Sequence, residues 1–136
     1  MTLALDTTAL VARYVTAPGR AELLEAMAAD RDWCASSLAL SEALVLVERL
    51  AEPAQATRLR QALLDDWGRI AAVPVDQLCL ERAAALGRAH PLRTVDAIHL
   101  AAADRLPRPV RYATLDAHQL AVAEALGFSV VVPLSR

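Results

Sequence analysis

Five short apolar runs, separated by stretches of helical period, are the strongest constraint on how this chain folds. Leu3 to Leu5 predicts a first strand that ends at Asp6, and Thr7, Thr8 and Ala9 open a helix to about Val15. Pro18-Gly19 breaks that helix, and a second runs from Arg20 to Ala29. Trp33 to Ser36 predicts the second strand, with Ser37 as cap for a helix over Leu38 to Ala51. Pro53 marks the start of a helix over Ala54 to Trp67. Ile70 to Val75 predicts a third strand, Asp76 caps a helix to about His90, and another helix begins near Thr94. Pro107 and Pro109 stop it. Val110 to Leu115 predicts the fourth strand, Asp116 to Leu126 a last helix with Gly127 as C-cap, and Phe128 to Val132 the fifth strand. Apolar strands alternating with helices imply an α/β fold whose parallel sheet is covered on both faces. With no internal repeat or linker, residues 1–136 are expected to form one domain.

Composition excludes several functions. The 14 basic residues are all Arg and stand against 16 acidic ones, so the chain lacks the basic surplus common in nucleic-acid binders. The absence of Lys removes every mechanism that needs a catalytic lysine. Cys34 and Cys79 are far apart with no C-x-x-C, and are read as buried thiols in a reducing cytoplasm. No basic leader precedes the first apolar run, and no apolar run approaches the ~20 residues of a membrane span. A cytoplasmic location is expected.

The chemistry centres on the helix near Thr94. Helical spacing puts Asp96 on one stripe with His99, Leu100 and Ala103, inside the apolar face. A lone carboxylate is costly to bury there, unless it only favours the helix dipole and reaches water past the helix end. Asp6 and Asp116 follow the first and fourth strands, on the carboxyl edge where ligands bind in parallel sheets. Each also suits an ordinary N-cap, the role assigned to Asp76. Glu42 lies on the long third helix, either facing the same crevice or edging a polar strip with Ser41, Glu48 and Arg49.

Taken together, the four acids suggest a cluster that holds divalent cations, because clustered carboxylates otherwise repel. Oxygen ligands without a Cys or His cluster favour Mg²⁺ or Mn²⁺ over Zn²⁺, and Mg²⁺ points to phosphodiester chemistry. Arg93 is a candidate for phosphate contact, and His118 either touches phosphate or is solvated. Thr7, Thr8 and Thr114 are placed to bond the carboxylates or a metal-bound water, or only to cap. His99 is read as a packed, hydrogen-bonded histidine, with a carboxylate contact as the alternative.

Four stretches carry a resemblance: Leu5-Asp6-Thr7-Thr8-Ala9-Leu10, Ser36-Ser37-Leu38-Ala39-Leu40-Ser41-Glu42, Arg93-Thr94-Val95-Asp96-Ala97-Ile98-His99-Leu100-Ala101 and Thr114-Leu115-Asp116. In these the chain resembles the PIN-domain nucleases, specifically the VapC-like toxins of bacterial toxin–antitoxin pairs. The resemblance implies a three-layer sandwich with a five-stranded parallel sheet in the order 3-2-1-4-5. It also implies that Asp6, Glu42, Asp96 and Asp116 are the acidic, metal-binding catalytic positions. Thr8 stands where such proteins often carry Ser or Asn, and His118 where they frequently carry Arg. Family members usually dimerise and are held inactive by a small antitoxin whose tail enters the acidic groove.

The expected activity is therefore a Mg²⁺- or Mn²⁺-dependent endoribonuclease, with Thr8, Arg93, Thr114 and His118 as substrate-binding candidates. RNA, a cognate antitoxin and a second copy of the chain are the expected partners. A PIN-like module that only binds a partner, or an RNA-processing nuclease outside toxin–antitoxin biology, are the rivals. Aspartyl-phosphate phosphatases need a second Asp where Thr8 stands and a later Lys. Receiver domains need the Lys too, and the scattered Gly19, Gly68, Gly87 and Gly127 make no phosphate-binding loop.

Overall fold

Strand alternation sorts neighbouring side chains to opposite faces, and the first strand shows how. In the computed structural model, which describes residues 1–131, Leu3 and Leu5 of β1 (Thr2–Leu5) are buried in one core and Ala4 in another. β2 (Asp32–Ser36) repeats this with Ala35 and Cys34, and β4 (Val110–Ala113) with Ala113 and Tyr112. β3 (Ala71–Val73) and β5 (Ser129–Val131) form the edges. All pairings are parallel and the order is β3-β2-β1-β4-β5. The expected α/β sheet and its strand order are therefore both present. Val132, expected in the last strand, lies outside the described residues.

Two helical layers close the sheet. Helices α1 (Thr7–Ala12), α2 (Arg20–Ala29), α3 (Leu38–Leu50) and α4 (Ala56–Trp67) bury Leu10, Leu23, Met27, Val47 and Leu63 against one face. Helices α5 (Gln77–Ala89), α6 (Thr94–Asp104) and α7 (Ala117–Ala125) bury Leu86, Leu100 and Val122 against the other. Both cysteines are buried free thiols. Among the described residues no helix is long and apolar enough to cross a membrane.

Several element ends differ from the sequence expectation, each for a local reason. α1 stops at Ala12 rather than Val15, because Arg20 donates to the carbonyls of Ala12 at 2.7 Å and Arg13 at 2.9 Å. Those carbonyls are satisfied without another helical turn. Pro53 does not open α4, which begins at Ala56 after a turn closed by Gln55 N–H to the Glu52 carbonyl. Ser37 makes no capping bond to α3; its hydroxyl accepts instead from Val75 N–H at 3.3 Å, just beyond Pro74, where β3 has ended. Asp76 caps α5 as expected, through Cys79 N–H at 3.0 Å. Gly127 lies one residue past the α7 C-cap with φ +88°, and lets Gly127 and Phe128 N–H bond back to the Glu124 and Ala123 carbonyls. That geometry favours glycine.

One polar cluster braces the α1–α4 layer away from the sheet edge. Buried Asp66 on α4 accepts from the Tyr14 hydroxyl at 2.6 Å, from Arg13 at 2.9 Å and from Arg69. Burial opposes its charge, but these bonds outweigh burial and hold the carboxyl below its ordinary 3.8. Arg13 also stacks over Trp33, 5.0 Å from the ring centroid. Replacing Tyr14 by Phe removes one bond to a charged acceptor, so we expect a loss of about 1–3 kcal/mol. Urea denaturation should show a lower midpoint with unchanged slope. An unchanged midpoint would mean that Asp66 is fully served by its arginines.

Candidate active site

β1 ends between β2 and β4, where the strand order reverses and a crevice opens at the carboxyl edge. Asp6 is the residue delivered there, and it is only 1% exposed. Its Oδ1 accepts from Ala9 N–H at 2.9 Å, as the N-cap of α1, and from the Thr8 hydroxyl at 2.8 Å. Its Oδ2 accepts from the Thr114 hydroxyl at 2.7 Å and the Gln119 amide at 3.0 Å. Burial dominates and pushes the carboxyl above its ordinary 3.8; the bonds from Thr114, Ala9 and Thr8 pull it back only in part. The cap and crevice readings of Asp6 are therefore not alternatives, because it does both.

Asp96 comes to the same place from the first turn of α6 and is buried, at 4% exposed. Its Oδ1 accepts from Gln119 Nε2 at 3.1 Å, so one amide nitrogen serves both Asp6 and Asp96. Arg93 grips Asp96 from outside with a two-pronged contact, Nε to Oδ2 at 3.0 Å and Nη2 to Oδ1 at 3.1 Å. The Arg93 side chain is 77% exposed, so its hold is exchangeable with water or a ligand.

Glu42 belongs to a second polar group. The Thr7 hydroxyl donates to its Oε1 at 2.5 Å, and His99 Nε2 lies 2.9 Å from the same oxygen. The His99 bond is the main reason that the Glu42 carboxyl sits below its ordinary 4.5, with burial opposing it. His99 is itself buried, and its Nδ1 lies 2.9 Å from the Ser36 hydroxyl at the end of β2. A proton on Nε2 lets His99 donate to Glu42 while Nδ1 accepts from Ser36. His99 is thus both packed and bonded to a carboxylate.

These residues line an open cavity of about 440 Å³. Asp6, Glu42, Asp96, Thr8 and Arg93 all lie along it. Thr114 lies behind Asp6, buried. Asp116 and His118 are not in the lining. The Asp116 carboxylate caps α7, accepting from His118 N–H at 3.0 Å, and faces His118 Nδ1 at 3.2 Å. Its charge still reaches Arg93. Residues the sequence did not mark complete the site. Gln119 and Tyr112 are buried behind the two aspartates, Arg49 stands on the rim, and Val45 and Leu46 form an apolar wall. A glutamine three residues into a helix gives no sequence signal. Arg49 does, being two turns after Glu42 on the same helix face.

Among the described residues, no group of three or more His, Cys, Asp or Glu side chains is set to hold a metal ion. Asp6 and Asp96 nevertheless fit one in donor chemistry. Mg²⁺ needs only one or two carboxylates when water and phosphate oxygens complete its shell, and an all-oxygen pair suits Mg²⁺ or Mn²⁺.

A family model described as PIN domain matches residues 3–110. No curated protein matches significantly. Among solved structures, a toxin–antitoxin complex from Klebsiella pneumoniae has a chain 24% identical, with a TM-score of 0.71, covering 98% of this chain and 99% of that one. FitAcB from Neisseria gonorrhoeae is 20% identical at a TM-score of 0.69, covering 96% and 97%. VapBC-5 from Mycobacterium tuberculosis is 18% identical at 0.63, also covering 96% and 97%. At these identities the likeness is one of fold.

The opposed positions of Asp6 and Glu42 give a pH signature in metal-free protein. The Asp6 value is raised on folding, so its contribution favours the native state at low pH and is lost as pH rises through the folded value. The Glu42 value is lowered, so its contribution is present above 4.5 and lost as pH falls through the folded value. In EDTA, wild type should gain stability relative to Asp6→Asn as pH is lowered from neutrality toward the ordinary carboxyl value of 3.8 in urea titrations. Parallel pH dependences would show that folding does not raise the Asp6 carboxyl above its ordinary value.

Proposed function

The chain belongs to the PIN-domain family, and from that premise we propose that it is a divalent-metal-dependent endoribonuclease, the toxin of a toxin–antitoxin pair. The single observation that carries this reading is the meeting of Asp6 and Asp96 on one amide nitrogen beside an open, arginine-rimmed cavity. Two buried carboxylates so placed are a poor arrangement for stability and a good one for a hard cation. Asp6 and Asp96 would hold Mg²⁺ or Mn²⁺, with Glu42 and Asp116 as further acidic positions. Bound there, the cation would supply Lewis-acid activation and charge stabilisation at the scissile phosphate.

The chain's own residues account for the rest. Glu42 is held through Oε1 by Thr7 and His99, which leaves Oε2 to orient an attacking water and receive its proton. Arg93 and Arg49 flank the cavity and suit phosphodiester oxygens, and the move of Arg93 from Asp96 to a phosphate exchanges one anion for another. Thr8 and Thr114 hold Asp6 in place from both sides. His118, with Asp116, lies just outside and suits contact with a neighbouring phosphate. The apolar wall of Val45, Leu46 and Val95 suits the face of an unpaired base better than the outside of a duplex.

The similar structures from Klebsiella and Mycobacterium are described as toxin–antitoxin proteins, which supports an antitoxin as cognate partner. We assign the protein to the cytoplasm, where that partner and RNA both lie, and expect a homodimer.

Purified protein should cleave single-stranded RNA with Mg²⁺ or Mn²⁺ and stop on adding EDTA. Glu42→Gln should slow cleavage by about 10²–10⁴-fold, the usual range for a lost general base. Induced alone in a bacterial host, wild type should arrest growth, and Asp96→Asn at equal expression should not. Cleavage that survives EDTA in contaminant-free protein would overturn the metal mechanism. An Asp96→Asn variant as toxic as wild type would remove Asp96 from the site.

A further inference from the structure

We propose that Gln119 is a positioning residue that clamps Asp6 and Asp96 into a metal-ready pair, with Tyr112 fixing the direction of its amide. The inference rests on the metal reading above and assigns a role to two residues outside the acidic set.

Gln119 is 1% exposed and Tyr112 is 1% exposed, so neither meets solvent or substrate. Gln119 Nε2 lies 3.0 Å from Asp6 Oδ2 and 3.1 Å from Asp96 Oδ1. A primary amide has two N–H bonds on that nitrogen, so each carboxylate takes one. The amide oxygen takes the Tyr112 hydroxyl at 2.6 Å. All three bonds act in one sense. With the amide reversed, its oxygen would face two carboxylates, which have no hydrogen to give.

An amide suits this task in a way that a cation does not. Arg or Lys between two aspartates would neutralise them, and a metal would then have to displace that charge. An amide spans the two anions with its dipole alone and leaves their net charge for a divalent ion. Arg93 supplies a full positive charge, but from the exposed side and on a largely solvent-accessible side chain. The interior thus carries the permanent neutral clamp and the surface the exchangeable cation. Supporting groups behind metal ligands typically change metal affinity by about 10–100-fold when removed.

The test is Mn²⁺ binding by calorimetry, on wild type, Gln119→Met and Tyr112→Phe, all at a temperature where each is folded. Gln119→Met keeps the side-chain length but gives up the amide, and should weaken Mn²⁺ binding by about 10–100-fold. Tyr112→Phe frees the amide to turn, and should weaken it in the same direction by less. Should Gln119→Met not fold, Tyr112→Phe carries the comparison. In metal-free wild type, NMR should also show both Gln119 side-chain amide protons shifted by hydrogen bonding and slow to exchange, and Mn²⁺ is not needed for that reading. Wild-type Mn²⁺ affinity in the folded variants, or fast-exchanging amide protons, would overturn the clamp while the metal site stood. A wild type that binds no Mn²⁺ would overturn the metal reading and this inference with it.

Discussion

Much of the molecule is arranged to bury one carboxylate. Asp6 lies at the end of the central strand, shut off from water, and so it must find its hydrogen-bond donors within the protein. It draws on the first turn of α1 through Ala9 and Thr8, on the loop after β4 through Thr114, and on α7 through Gln119. The start of α1 and the segment from the end of β4 into α7, far apart in sequence, are therefore pinned to one point. Even with four donors, its proton affinity stays raised, so the bonds do not fully replace the lost hydration. What remains is a standing demand for positive charge at the carboxyl edge of the sheet.

That demand explains the disposition of the neighbours. Asp96 sharpens it, because two anions that share one amide nitrogen repel through a medium of lower dielectric than water. Arg93 meets part of it, but from a position open to solvent, where a guanidinium holds loosely. Among the described residues, no buried side-chain nitrogen or oxygen lacks a partner. The network is thus closed in hydrogen bonds while remaining open in charge, which is the condition a cation-binding site needs before its cation arrives.

How much of this was legible in the sequence depends on the range of the interaction. Strand alternation and helical period are local, so the parallel sheet, its two helical layers and the place of Asp96 on the apolar stripe of its helix could all be read directly. The burial of Asp96 stayed open against a carboxylate reaching water past the helix end. The placement of Asp6 and Asp116 at the carboxyl edge of the sheet followed from their positions after strands, whereas the convergence of Asp96 on that edge was expected only from the four acids taken together and from the resemblance. Element ends were read less well wherever a distant residue set them. Arg20 stops α1 from the next helix, and the bond from Val75 draws Ser37 away from capping. Gln119 was illegible for the same reason, since a glutamine on a helix reads as surface until α7 packs beside α6 and β5 and brings its amide to Tyr112, Asp6 and Asp96. Asp116 shows the converse, for its cap geometry was readable while its place outside the cavity lining goes with the turn after Thr114, where its N–H bonds the Thr114 hydroxyl.

The pair Thr7-Thr8 joins the two halves of the site. Adjacent residues in the first turn of a helix point about 100° apart, and here that divergence is used. Thr7 turns toward α3 and α6, meeting Glu42 and His99, while Thr8 turns toward the end of β4, meeting Asp6, Thr114 and Leu115 N–H. Asp6, by capping α1, fixes the helical phase that sends each hydroxyl its own way. The aspartates proposed to hold metal and the glutamate proposed to orient water are therefore not independent fixtures. A shift of α1 by a fraction of a turn would move both at once, so the short helix after the first strand sets the distance between the two groups.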